Sequence, residues 1–229
     1  MISRYTYGSC IETGAVPEKP EIEAGALPFF VVDEEQMTLT YRMAEHDRVY
    51  GLGENLRGIN KRGWIYESKC TDDPNHMEEK RSLYAAHNFF VVDGSETFGV
   101  FVDYPGIVSF DIGYTKMEEL KIQASDWNLD VYVITGMDVK DIVKQFRKMI
   151  GRSYIPPLWA FGYGQSRWGY RSEDDVREVV KAYRDLQIPL DSVYLDIDYM
   201  ERYKDFTLNQ ETFPDFPDFV EEMKKENIH

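Results

Sequence analysis

The stretch that decides the fold is Leu158–Asp198, which reads LWAFGYGQSRWGYRSEDDVREVVKAYRDLQIPLDSVYLDID. It opens with one apolar run, LWAFGYG, and closes with a second, SVYLDID. Between the runs, Ser172 and Asp175 have the spacing of a capping box and predict the start of a helix. The apolar residues of this helix are predicted to face inward: Val176, Val179, Val180, Tyr183 and Leu186. The order strand, helix, strand predicts a βαβ unit with two parallel strands.

The residues that follow the two predicted strands are chemically unusual. In parallel α/β folds, ligands bind at the carboxyl ends of the strands. The segment QSRWGY follows the first strand, and DIDYM ends the second. We therefore expect Trp168, Asp196 and Asp198 on one rim. The alternative is structural, in which Trp168 packs on the helix and Asp198 caps a turn or braces the strand end.

The segment after this unit predicts a second amphipathic helix. Pro214 and Pro217 introduce the sequence DFVEEMKKENI. Phe219, Val220 and Met223 recur at helical spacing and are expected to face inward. The predicted α/β region therefore extends over residues 158–229.

Upstream, the periodicity changes to that of strands. In LPFFVVDEEQMTLTYRM, an apolar run and an acidic turn precede an alternation at Met37, Leu39 and Tyr41. Asp93-Gly94 lies between two apolar runs and predicts a hairpin. The last such run, LDVYVITG, ends at Gly136. Several short strands with turn signals predict a β-sandwich over residues 1–136.

A helix and a linker are predicted between these two regions, over residues 137–157. The segment DVKDIVKQFRKMIG ends in Gly151, which is a natural helix stop. The consecutive residues Pro156 and Pro157 indicate a domain junction. The apolar face of this helix is predicted to be Val139, Ile142, Val143, Phe146, Met149 and Ile150.

Composition excludes several classes of partner. The chain has 229 residues, of which 41 are acidic and 26 basic, for a net charge of −15. Nucleic acid and anionic membrane surfaces would repel such a chain, so neither is expected as a partner. Cys10 and Cys70 suggest no disulfide framework, and no signal or membrane-spanning segment is visible, which predicts a cytoplasmic protein. Neither a metal-ligand spacing nor a phosphate-binding loop is present, so no metal or other cofactor is expected.

Two groups of motifs resemble one known family. WAFGYGQSRWGY, followed by DIDYM and then DFT, resembles the start of the catalytic barrel of family 31 glycoside hydrolases, the α-glucosidase family. VYGLGEN (Val49–Asn55) and CTDDPNH (Cys70–His76) resemble the N-terminal domain of the same family. The resemblance implies a β-sandwich followed by the first βα units of a (β/α)8 TIM barrel that is incomplete in this chain.

The resemblance also implies roles for five residues. Asp196 corresponds to the residue that hydrogen-bonds hydroxyls of the reacting sugar in subsite −1, and Ile197 lines the same pocket. Trp168 shapes the entrance and the +1 subsite. Asp72, or failing that Asp73, reaches the +1 sugar from a loop of the sandwich, although Asp-Pro-Asn is also ordinary turn chemistry. Carboxylates accept strong hydrogen bonds from hydroxyls, and aromatic faces cover the apolar face of a pyranose.

The implied function is that of the N-terminal part of a retaining α-glucosidase acting on terminal α-linked glucose, as in isomaltose and maltose. Retaining glycosidases use two carboxylates, which in this family lie on later barrel strands, beyond His229. No catalytic residue is therefore expected within the chain, and the chain alone is expected to be inactive. Expected partners are an α-linked gluco-oligosaccharide, the remainder of the polypeptide and, in the complete enzyme, a second copy. The alternatives are a non-catalytic carbohydrate-binding module, an α-xylosidase or an α-glucan lyase.

Overall fold

The computed structural model describes residues 1–229, which divide into two compact units, Met1–Arg152 and Ser153–His229. The first unit contains ten strands and one helix. The strands are β1 (Ile2–Tyr7), β2 (Phe30–Asp33), β3 (Thr38–Arg42), β4 (Arg48–Gly51), β5 (Trp64–Ser68), β6 (Phe89–Asp93), β7 (Thr97–Asp103), β8 (Val108–Ile112), β9 (Glu119–Ala124) and β10 (Leu129–Thr135). The helix is α1 (Val139–Met149).

The strands form two five-stranded antiparallel sheets, in the orders β1-β10-β7-β6-β4 and β2-β3-β9-β8-β5. One apolar core joins them, with Val100 and Val131 from the first sheet and Phe110 and Ile122 from the second. Strand β8 shows the expected alternation, since Val108, Phe110 and Ile112 are buried and the residues between them are not. The β-rich N-terminal domain predicted from the sequence is confirmed.

Two local predictions for this unit are also confirmed. Asp93-Gly94 begins the connection between β6 and β7, whose register pairs Asp93 with Thr97. Leu39 and Tyr41 are buried on β3, whereas Met37, the first residue of the predicted alternation, lies before the strand and is partly buried. Both signals depend on neighbours in the chain, which is why the sequence alone reveals them.

Strand β6 is buried on both faces because α1 covers the outer face of its sheet. Phe90 and Val92 of β6 point into the sandwich core, whereas Phe89 lies against the helix. Phe146 of α1 stacks on Phe89 with 3.8 Å between ring centroids. The helix thus contributes to the core of the first unit. One part of the predicted stripe is wrong: Val143 is 37% exposed, because the contact with a flat sheet is narrower than the apolar face.

The second unit contains β11 (Gly164–Ser166), α2 (Glu173–Asp185), β12 (Ser192–Tyr194) and α3 (Phe216–Lys225). The two strands pair in parallel, with Ser166 opposite Tyr194, as a βαβ unit requires. The capping box at the start of α2 is present in both directions between Ser172 and Asp175. No helix in either unit has the length and hydropathy of a membrane span.

The apolar core of this unit agrees with most of the predicted stripes. Val176 and Val180 are buried, as are Phe219 and Met223 of α3, and Val179, Tyr183 and Val220 are partly buried against them. The prediction was wrong for Leu186, which is 70% exposed. Leu186 is the C-cap of α2, and the positive φ of Gln187 turns the chain away directly afterwards.

The predicted first strand was placed too early. Leu158–Phe161 forms a short 3-10 helix, in which the N–H of Ala160 donates to the carbonyl of Pro157 at 3.0 Å. Only Gly164–Ser166 pairs with β12. A short apolar run does not by itself separate a strand from a turn of helix, and this one remains largely exposed. The second strand is also shorter than SVYLDID, because Asp196 has a φ of +64°.

Candidate functional site

An open cleft of about 850 Å³ lies in the second unit, where β11 and β12 end. The parallel pairing puts the carboxyl ends of both strands at the same edge, as the sequence predicted. The residues that line the cleft are Ser166, Val193, Tyr194, Leu195, Asp196, Tyr199, Phe206, Thr207, Leu208 and Phe216. Asp196 is exposed, and its left-handed backbone turns the chain immediately after the strand.

The cleft combines one carboxylate with aromatic walls. Asp196 supplies two acceptor oxygens, and Tyr194 and Phe206 present exposed rings. The hydroxyl of Thr207 is already engaged, because it donates to the carbonyl of Lys204 at 2.6 Å. Such a surface suits a ligand with several hydroxyl groups and an apolar ring face.

Trp168 lies in the loop between β11 and α2, outside the lining of this cleft. Gly169, with a φ of +111°, follows Trp168 directly. Tyr170 enters the core, whereas Trp168 is 69% exposed. The indole Nε1–H of Trp168 donates to Oδ1 of Asp198 at 3.2 Å. Asp198 therefore contacts the indole, a partner that was not predicted from the sequence.

Ile197 is exposed and is not among the residues that line the cleft around Asp196. The role of Ile197 in the same pocket as Asp196 thus stays a prediction.

The candidate loop of the first unit separates the two acids that the sequence left as alternatives. Asp73 pairs with Lys80 and accepts from the N–H of Asn75 at 2.9 Å, and the hydrogen bond from Lys80 lowers the pKa of Asp73. Asp72 is exposed. Asp73 thus forms the turn that the Asp-Pro-Asn segment predicts, and Asp72 is exposed beside it.

Asp72 has aromatic neighbours. Desolvation, followed by the nearby Asp72 carboxylate, raises the pKa of Tyr84. His76 meets Tyr84 edge to face, with 5.4 Å between ring centroids. The loop is attached to the following segment by a hydrogen bond from the N–H of Thr71 to the carbonyl of Leu83 at 2.9 Å. A carboxylate beside aromatic rings repeats the combination found in the cleft.

Several residues of the cleft were not predicted from the sequence. Val193, Tyr194 and Leu195 directly precede Asp196 and also line the cleft, so their closeness to Asp196 in the chain was a usable signal. Phe206 had none, because it reaches the cleft through a loop in which Arg202, Tyr203 and Phe206 all have positive φ angles. No spacing rule connects such a loop residue with a strand end.

Comparison with known proteins gives one family for both units. Residues 28–111 match the glycosyl hydrolase 31 N-terminal galactose mutarotase-like domain. Residues 153–229 match the glycosyl hydrolases family 31 TIM-barrel domain. The two matched ranges contain the motifs that resemble this family, Val49–Asn55 and Cys70–His76 in the first and RWGY and DIDYM in the second.

Individual relatives support the same assignment. Alpha-glucosidase 2 of Bacillus thermoamyloliquefaciens is 36% identical over 188 residues, or 81% of this chain and 24% of that protein. Lysosomal alpha-glucosidase of Mus musculus is 32% identical over 202 residues, or 87% of this chain and 21% of that protein. The chain spans about a quarter of the length of these relatives.

A solved structure agrees with the fold. A family 31 dextranase of Flavobacterium johnsoniae, complexed with isomaltotriose, superposes with a TM-score of 0.77 and 26% identity, over 89% of this chain and 25% of that one. Two domain models of this family match the chain, and an alpha-glucosidase is similar over most of its length. This chain therefore belongs to glycoside hydrolase family 31.

Proposed function

We propose that this chain is the N-terminal part of a retaining α-glucosidase and supplies residues that bind its substrate. The observation that carries the proposal is the exposed carboxylate of Asp196, at the end of β12, in a cleft with aromatic walls. This carboxylate lies in the segment that matches the family's barrel domain. Relatives named alpha-glucosidase support α-glucosides as the substrate class.

The remainder of the active site comes from a longer polypeptide, here called the complete enzyme. A (β/α)8 barrel needs eight βα units, or about 250 residues with its loops, and the second unit contains two of its strands. The two carboxylates of a retaining mechanism belong to later strands in this proposal. The barrel is therefore incomplete in this chain, and the chain by itself does not hydrolyse glycosides.

Each candidate residue has one task. Asp196 accepts hydrogen bonds from hydroxyls of the sugar whose anomeric carbon reacts. Trp168 forms a wall at the boundary with the +1 sugar and favours α-1,6-linked glucose, as in isomaltose, over α-1,4. Asp72 of the first unit accepts a hydrogen bond from the +1 sugar. The substrate is an α-linked gluco-oligosaccharide, and a cytoplasmic location stays a prediction from composition.

Hydrolysis of p-nitrophenyl α-glucoside tests whether this chain only binds substrate while later strands supply the catalytic carboxylates. We expect turnover by the complete enzyme and none by residues 1–229 above a heat-denatured control. An assay of released nitrophenol on equal molar amounts decides it. Turnover by residues 1–229 would contradict the proposal that the catalytic carboxylates lie on later strands. Absence of hydrolysis of every α-glucoside by the complete enzyme would contradict the proposed activity.

A further inference from the structure

A nearly buried carboxylate beside an exposed indole is the feature that the proposed function leaves unused. The Asp198 side chain is 8% exposed. Its Oδ1 accepts the indole N–H of Trp168 at 3.2 Å. Its Oδ2 has no hydrogen-bond partner and lies 3.8 Å from Nε of Arg171. One oxygen of the carboxylate therefore accepts a hydrogen bond from the indole, and the other lies near the guanidinium of Arg171.

Apolar packing does little to orient this indole. Trp168 is 69% exposed and is not part of the apolar cluster of its unit. The next residue, Gly169, has a left-handed backbone with a φ of +111°. A side chain in such a position samples several rotamers unless a polar contact selects one. The hydrogen bond to Asp198 is the contact that does so, and a charged acceptor makes it strong.

We propose that Asp198 is a positioning residue that fixes the plane of the Trp168 indole and so sets the linkage preference of the enzyme. This inference rests on the proposed function, in which Trp168 is the wall at the +1 boundary. A fixed indole crowds an α-1,4-linked partner, which lies close to the reacting ring. An α-1,6-linked partner hangs from an additional rotatable carbon and can move clear of the wall. Releasing the indole should relax this discrimination.

The first test follows the indole itself and needs no activity. In the complete enzyme labelled with ¹⁵N-tryptophan, Trp168→Phe assigns the indole N–H resonance of Trp168. In Asp198→Ala we expect the Trp168 indole hydrogen to exchange with solvent about tenfold faster, the order of magnitude for one lost hydrogen bond to a charged group. Asp198→Asn retains an acceptor oxygen and should retain most of the protection.

The control for charge is Asp205→Ala, which removes one exposed acid from the segment after β12. It should leave the Trp168 indole unchanged. The resonance of Trp159, which stacks on His229 in the same unit, reports whether a variant is folded. If Asp198→Ala loses that resonance, Asp198→Asn and Asp198→Leu replace it. Equal exchange of the Trp168 indole in the wild type and in a folded variant without the acceptor overturns the proposal.

The second test measures the ratio of kcat/KM for isomaltose to kcat/KM for maltose in the complete enzyme. We expect Asp198→Ala to lower this ratio by roughly tenfold, within the range that shape discrimination supports. Trp168→Tyr should lower it similarly, and the double variant should add little. An unchanged ratio in Asp198→Ala with an altered indole overturns the role in linkage preference. Absence of hydrolysis of both sugars by the wild type overturns the proposed function instead and leaves the indole result standing.

Discussion

Replacing Asp196 with alanine in the complete enzyme is expected to lower kcat/KM for α-glucosides by about ten- to a hundredfold or more. The carboxylate stands exposed in the cleft at the end of β12, where it can accept charge-assisted hydrogen bonds from sugar hydroxyls. The loss of one such bond is worth about 1.5–3 kcal/mol, which corresponds to this range in rate. Steady-state kinetics on isomaltose and on p-nitrophenyl α-glucoside measure the effect.

The matched comparison is Asp198→Ala, two residues further along. Asp198 contacts Trp168 in the structure and does not line the cleft, so its removal should change substrate preference more than overall turnover. Asp196→Asn should fall between the wild type and Asp196→Ala because the amide keeps one acceptor. If Asp198→Ala is the more damaging change on p-nitrophenyl α-glucoside, Asp196 is not the residue that binds the reacting sugar.

Replacing Phe146 with alanine is expected to destabilise the first unit by about 3–5 kcal/mol, the usual range for a buried phenylalanine. Phe146 stacks on Phe89 of β6 and also lies 5.4 Å, centroid to centroid, from Phe101 of β7. The helix that carries it was predicted within the helix-and-linker segment 137–157, and the structure packs it on the sheet. Urea denaturation followed by circular dichroism gives the free energy of unfolding.

Val143→Ala on the same helix is the control. Val143 is 37% exposed, and substitutions at such positions usually change stability by about 0.5 kcal/mol or less. Similar losses for the two variants, or a loss under about 1 kcal/mol for Phe146→Ala, would contradict the docking of α1 on the sheet.

Much of the fold could be predicted because its determinants are local. Ser172 and Asp175 specify the start of α2 through their own backbone, and Asp93-Gly94 begins a hairpin wherever it stands between two strands. The sequence could not place the first strand of the second unit. Leu158–Phe161 is apolar enough for a strand, but its conformation depends on what pairs with it. Val143 and Leu186 were misplaced for the same reason, since tertiary contacts decide which part of an apolar face is buried.

The candidate site also has features that the sequence predicts and features that it does not. The rim that carries Asp196 follows from parallel pairing, a rule of topology that motif order alone can invoke. The contact between Trp168 and Asp198 does not follow from the sequence, because the two residues are 30 positions apart in loops whose conformations no periodicity describes. Phe206 reaches the cleft through a loop that no periodicity describes.

The most direct test of the account is the configuration of the first product. The complete enzyme is incubated with p-nitrophenyl α-glucoside, and the anomeric proton of the released glucose is followed by ¹H NMR before mutarotation. A retaining glycosidase forms a glycosyl-enzyme intermediate and releases the sugar with its original configuration. We predict that α-glucose appears first and that β-glucose follows only as the anomers equilibrate. Initial release of β-glucose, or no release of glucose, would contradict the proposal that this chain is part of a retaining α-glucosidase.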